Sequence, residues 1–226
     1  MINHHLSQDL HRNQLRSEAN KNFQGTPAAP LKLALCASYK IPKMINIQTE
    51  RTTLVTLSKS SAEMVRNYYF ENKAHLSLWE PARDYEFHTL EKWQEFISEY
   101  EDSFNSGTAV KFIALNKTKT EIIGVCNFSN IVHGVFQACN VGYSVAKKYE
   151  SQGYMYEILS AAIKYIFEFV GMHRVMANYI PENDRSAAVL NRLGFEKEGY
   201  AKSYLKINGK WQDHILTSKI NPGTGT

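Results

Sequence analysis

An α+β (or α/β) fold around a single mixed sheet is what this sequence predicts, and three observations predict it. Short strand-like runs and helical runs follow one another in a mixed order rather than segregating. One segment, Met155 to Val170, repeats Met155, Leu159, Ala162, Ile163, Ile166, Phe167 and Val170 at three- and four-residue steps, the period of an amphipathic helix. The chain then closes on two β-rich runs separated by Asn208-Gly209, a type I′ hairpin signal.

Taken in order, Thr52–Leu57 reads as a strand. Ser61–Lys73 reads as a helix, with Ser60 or Ser61 as its cap and Glu63 in the first turn, where a carboxylate suits the helix dipole. A loop holding Trp79-Glu80-Pro81 leads to a second helix over Thr89–Phe104. Val110–Leu115 and Glu121–Ile131 alternate as strands, and His133-Gly134 turns the chain into a third, Val135–Val145. Gly171 ends the long helix, Arg174–Ile180 is again a strand, and a short helix from Arg185 to Arg192 stops at Gly194. Phe195–Ile207 and Trp211–Lys219 form the closing hairpin.

The chain's 226 residues suffice for one sizeable core. No apolar run approaches the roughly 18 residues of a membrane span. Leu31–Ala37 lies too far from the start to be a secretory core, so the expected location is the cytoplasm, with no membrane partner. The net charge of +4 is unevenly placed. Residues 1–43 carry six basic side chains against two acidic ones, and the rest of the chain carries twenty of each sign. This stretch, with its Gly25–Pro30 segment, reads as a flexible basic extension; residues 44–220 read as the folded domain and 221–226 as a loose tail. Cys36, Cys126 and Cys139 have neither metal-ligand nor redox spacing, and His4-His5 lacks a third ligand, so no metal is expected.

Chemistry concentrates where the strand ending Tyr143-Ser144-Val145 runs through Ala146–Gly153 into the long helix. A helix start offers unpaired N–H groups and a positive dipole end, both suited to a phosphate or diphosphate. Gly153 lets the backbone come close to such a ligand, and Lys147 and Lys148 add positive charge. P-loop and Gly-x-Gly-x-x-Gly signatures are absent, which excludes those nucleotide-binding classes. No Cys-His or Ser-His pairing suggests a covalent acyl-enzyme.

Glu121–Val132, Val141–Leu159 and His173–Thr217, together with Trp79-Glu80-Pro81, resemble the GNAT acetyltransferases, and more closely the RimJ-type ribosomal-protein-alanine N-acetyltransferases. The likeness spans Ile41 to Ser218. It implies a single GNAT-like domain with a mixed, mostly antiparallel sheet. It also implies an acetyl-CoA cosubstrate, and as partner a ribosomal protein whose N-terminal alanine is acetylated by direct attack in a ternary complex. By resemblance, the backbone of Tyr143, Ser144 and Val145 pairs with pantetheine, and an N–H of that strand faces the developing oxyanion. The amides of Ser151, Gln152, Gly153, Tyr154 and Met155 cradle the diphosphate, and Asn183 caps the next helix and bonds pantetheine. Ser186 is the implied donor to the leaving thiolate, because Leu190 stands where many family members have a tyrosine. Trp79 and Glu80 face the acceptor groove, and Asp213 is a further carboxylate candidate. Glu150 departs from the family's usual Gln or Arg; a carboxylate beside a diphosphate is unfavourable, so it is expected to turn toward solvent or a lysine. Two alternatives stand beside this reading. One is acetylation of a small amine, an antibiotic or a lysine on the same fold. The other is a ribosome-assembly or RNA-associated module, for which the basic extension argues.

Overall fold

The computed structural model describes residues 45–224. The expected basic extension, 1–43, and Cys36 within it lie outside the described residues. Among those described, eight strands form one sheet in the order β1-β2-β3-β4-β5-β6-β8-β7. The strands are β1 (Asn46–Gln48), β2 (Thr52–Thr56), β3 (Val110–Asn116), β4 (Ile122–Val132), β5 (Ala138–Val145), β6 (Arg174–Tyr179), β7 (Glu196–Ile207) and β8 (Lys210–Ile220). The helices are α1 (Ala62–Glu71), α2 (Lys73–Leu76), α3 (Leu90–Asn105), α4 (Tyr154–Glu168) and α5 (Asp184–Arg192). None of them is long and apolar enough to cross a membrane.

Every neighbouring pair is antiparallel except β5 and β6. That parallel pair registers over only three positions, from Ala138↔Arg174 to Asn140↔Met176. Beyond Asn140, β5 continues to Val145 bonded to β4 alone, and β6 continues to Tyr179 bonded to β8. The sheet therefore splits into a gap at its centre, and the outward backbone groups of Gly142–Val145 meet no strand.

Alternation along β4 gives the sheet two buried faces. Phe112 of β3 meets Phe128 of β4 and Tyr165 of α4, which places α4 on that face. Val125 and Asn127 face the other way, toward Val65, Tyr69 and Trp93 of α1 and α3. Ile158, Leu159, Ala162 and Ile166 are fully buried, as the helical period predicts. Gly124 sits where β4 presses on β5 and α4: a Cβ there would lie 2.8 Å from the Ser144 carbonyl oxygen and 3.2 Å from the Met155 methyl. Gly124→Ala is expected to cost about 1–3 kcal/mol of stability, seen as a melting temperature lowered by roughly 2–10 °C.

Several sequence expectations are corrected. α1 is not capped by the Ser60 or Ser61 side chain; Ser61 Oγ is taken by Ser58, in a 3₁₀ turn that leads into the helix. The helix stops at Glu71 instead of Lys73, because the Asn72 side-chain amide at its C-cap donates to the Tyr68 carbonyl (2.9 Å). β5 begins at Ala138 rather than Val135, since positive φ at Gly134 and Gln137 holds Val135 and Phe136 in an exposed turn. The expected loose tail is tied down over Asn221–Thr224: Asn221 bonds the backbone of Met172 and His173, and Thr224 bonds His173 Nδ1. β1 has no counterpart in the sequence reading.

Candidate active site

The loop from Ala146 to Gly153 is fixed from three sides. At its start, Asn72 Oδ1 accepts the Lys147 N–H at 2.7 Å, so the residue that ends α1 also positions the loop. On one flank, Arg51 from the β1–β2 turn donates to the Gln152 carbonyl (2.9 Å), pairs with Glu157 (2.7 Å) and covers the Tyr154 ring. Glu157 also accepts from Thr49 and the Arg51 N–H, and these bonds hold its carboxyl below the usual range despite burial. At its end, Gly153 takes φ 82°, a left-handed conformation that a side chain strains. Ser151 is held in the same region at φ 59°.

These constraints leave the N–H groups of residues 151–156 in succession without an acceptor among the described residues. A helix N-terminus with six free donors is a seat for an anion. It opens into a cavity of about 390 Å³ lined by Tyr143, Ser144, Val145, Ser151, Gly153, Tyr154, Met155, Asn183 and Ser186. Gln152, expected in this set, is the exception: it lines a neighbouring surface cavity, and its amide donates to the Lys148 carbonyl.

Glu150 lines the same cavity and is nearly buried, with a 12% exposed side chain. It turns to Lys147 (2.7 Å), as expected, and also to Arg185 (2.5 Å) and His75 (3.3 Å). Lys147 and Arg185 in particular hold its carboxyl below the ordinary range although burial opposes them. Lys148 pairs instead with Glu121. Removing one negative charge from the wall of an anion seat is worth on the order of 1 kcal/mol at low ionic strength. Glu150→Gln is therefore expected to tighten binding of a diphosphate-bearing ligand by about three- to tenfold in low salt, an effect that calorimetry should see shrink as salt is added.

Past the gap between β5 and β6 lies a second cavity of about 270 Å³. The two share Trp79, Glu80, Tyr143, Ser144, Asn183 and Ser186 as a common wall. Four of these were expected on one side and two on the other; the fold brings them together. Ser186 Oγ lies 2.6 Å from the Tyr143 hydroxyl, whose phenol is pushed well above its usual range by burial. Asn183 caps α5 by accepting the Ser186 N–H at 3.1 Å. Tyr68 hydroxyl holds Ser144 Oγ at 2.9 Å. Trp79 is half-buried along both cavities rather than sunk in the core.

Glu80 is the carboxylate of the shared wall. Burial raises its pKa, opposed by Arg83 at 3.7 Å. Its backbone carbonyl accepts the Asn208 N–H, so the closing hairpin's turn braces this loop. Leu190 is buried and offers no proton. Asp213, the other carboxylate candidate, lines neither cavity; it accepts the Tyr200 hydroxyl and the Ser203 N–H across a bulge of the β7–β8 hairpin. The thiols of Cys126 and Cys139 are buried, and burial pushes Cys139 up to about 12, so neither is a nucleophile. Sequence reasoning missed Asn72, His75, Arg51 and His214, all brought to the site by tertiary contacts.

Comparison with known proteins gives a consistent picture. Residues 51–196 match the family model described as the acetyltransferase (GNAT) domain. The [ribosomal protein uS5]-alanine N-acetyltransferase of Escherichia coli K12 is 43% identical over 182 residues, covering 80% of this chain and 93% of that protein. A crystal structure of the ribosomal-protein-S5-alanine acetyltransferase from Vibrio fischeri superposes with a TM-score of 0.76 at 40% identity, covering 79% of this chain and 97% of that one. Mycobacterium smegmatis RimJ in complex with CoA-disulfide superposes at 0.73 with 25% identity, over 81% of this chain and 89% of its own.

Proposed function

This chain belongs to the GNAT acetyltransferases, and on that premise we propose that it transfers acetyl from acetyl-CoA to the N-terminal alanine amine of a ribosomal protein. The observation that carries the reading is the pair of cavities meeting at one six-residue wall, with an anion seat in the first cavity and the Glu80 carboxylate in the wall itself. The catalytic unit spans 44–220.

The free N–H groups of residues 151–156 suit the coenzyme's diphosphate, with Arg185 and Arg192 on the same cavity wall adding positive charge. The unpaired edge of β5 over Gly142–Val145 offers backbone donors and acceptors to the pantetheine arm and an N–H to the carbonyl oxygen as it gains charge. The acceptor enters from the second cavity, where Glu80 attracts its ammonium group. In this reading Ser186 protonates the departing sulfur, and its hydrogen bond with the Tyr143 hydroxyl supports the role. An α-amine has a reference pKa of about 7.7–8.0 against about 10.4 for lysine, so roughly a third of it is free near pH 7.5. An N-terminal acceptor thus asks the least of the site's base.

Acetyl-CoA with matched Ala-starting, N-blocked and lysine-containing peptides, and with spermidine, tests this reading. Label should enter only peptides with a free N-terminal alanine. Equal labelling of blocked peptides, or preference for spermidine, overturns it.

A further inference from the structure

The acceptor-side cavity holds a nitrogen base that the chemistry above leaves unused. His214 of β8 is only 3% exposed, yet its ring lines the 270 Å³ cavity together with Glu80, Arg83, Tyr143 and Ser186. Its Nδ1 lies 3.0 Å from the Gln212 carbonyl oxygen. A carbonyl only accepts, so Nδ1 carries the proton and the neutral ring keeps its lone pair on Nε2. Among the described residues Nε2 has no hydrogen-bond partner.

We propose that His214 Nε2 accepts the proton of the incoming ammonium group, directly or through one water. This rests on the acyl-transfer reading given above. The groups around the ring support the assignment. Asp213, its chain neighbour, bonds Tyr200 and Ser203 and interacts with the ring only electrostatically. From β7, Tyr204 packs its ring 5.5 Å from the imidazole. Tyr69 of α1, Tyr143 of β5 and Tyr179 of β6 complete the phenols of the cavity, and burial keeps Tyr69 and Tyr143 protonated. Glu80 and Arg83, from the loop after α2, are its charged pair. Glu80 is thereby suited to hold the ammonium, and His214 to discharge it.

The protons and electrons balance. The acceptor arrives as R–NH3⁺ and gives one proton to Nε2, which frees the nitrogen lone pair. That pair forms the C–N bond while the carbonyl π pair moves to oxygen. On collapse the C–S bond breaks with its electrons on sulfur. Sulfur takes the Ser186 proton, and the nitrogen's second proton replaces it through solvent. The imidazolium then releases its proton to bulk water.

The test is His214→Asn, whose amide keeps a donor for Gln212 without a base, assayed on an Ala-starting peptide across pH. Near pH 7, where most of an α-amine is still protonated, kcat/KM should fall about tenfold, and near pH 9.5 the gap should close, because the amine is then free unaided. KM for acetyl-CoA should not move. A loss that is equal at every pH, or no loss, overturns the assignment. Should the variant not fold, ¹⁵N NMR of the wild-type imidazole decides: the neutral ring must show its proton on Nδ1, and an Nε2–H tautomer sinks the idea. Wild-type enzyme that ignores the peptide altogether defeats the acyl-transfer reading instead.

Discussion

Ser186→Ala should lower kcat about 10²-fold while leaving the affinity for CoA where it was. A thiolate, with a thiol reference pKa near 8.5, departs readily, so an acid supplies the lower end of the roughly 10²–10⁴ that proton transfer contributes. Ser186 sits on the wall common to both cavities, 2.6 Å from the Tyr143 hydroxyl. The Ser186 backbone N–H caps α5 through Asn183, and alanine keeps that bond. Only the hydroxyl is lost, so the effect belongs in kcat and kcat/KM equally, the mark of an interaction made in the transition state. Tyr143→Phe removes the hydroxyl behind Ser186 and should cost less. The reverse ranking in steady-state assays would make Tyr143 the donor and Ser186 its support.

The second large effect is Gly153→Val. At φ 82° a β-branched residue is strained, and relieving that strain rotates the neighbouring peptides, whose N–H groups have no acceptor among the described residues. Space is not the obstacle, since a Cβ would meet Arg51 at an ordinary 3.5 Å. Losing two hydrogen bonds to a charged diphosphate, at about 1.5–3 kcal/mol each, predicts CoA affinity at least roughly 10²-fold weaker by calorimetry. Gly199→Ala is the comparison: it lies on β7 at ordinary φ, where a Cβ makes only normal contact at 3.8 Å, and binding should be unchanged. Tight CoA binding by Gly153→Val would remove the anion seat from the argument.

What the sequence made legible is whatever repeats locally. The long helix, the turn before it and the Asn208-Gly209 hairpin carry their signals in neighbouring residues, and each lies where expected. β1 was missed because Asn46–Gln48 is three residues long and mostly polar, too short for alternation to register. Asn72 reads as a plain helix stop, and nothing nearby reveals that its side chain reaches Lys147, 75 residues on. Arg51 meets Glu157 across 106 positions. His214 sits in an ordinary strand, and only the fold shows its ring at a cavity. Glu150 shows the complementary case: electrostatics required a counter-charge, and the loop supplies Lys147 within one turn, yet Arg185 and His75 come from other elements.

The three-position seam between β5 and β6 has a mechanical meaning. Two halves of the sheet, β1 to β5 and β6-β8-β7, are stitched there by few main-chain bonds, and on the proposed reading a coenzyme lying along Gly142–Val145 would act as an extra rung inserted into the ladder. Loading the coenzyme and stiffening the enzyme would then be one event. An acceptor that reached the empty protein would meet a yielding wall and one that arrived second a finished one, so binding measurements should show coenzyme first in the order of addition.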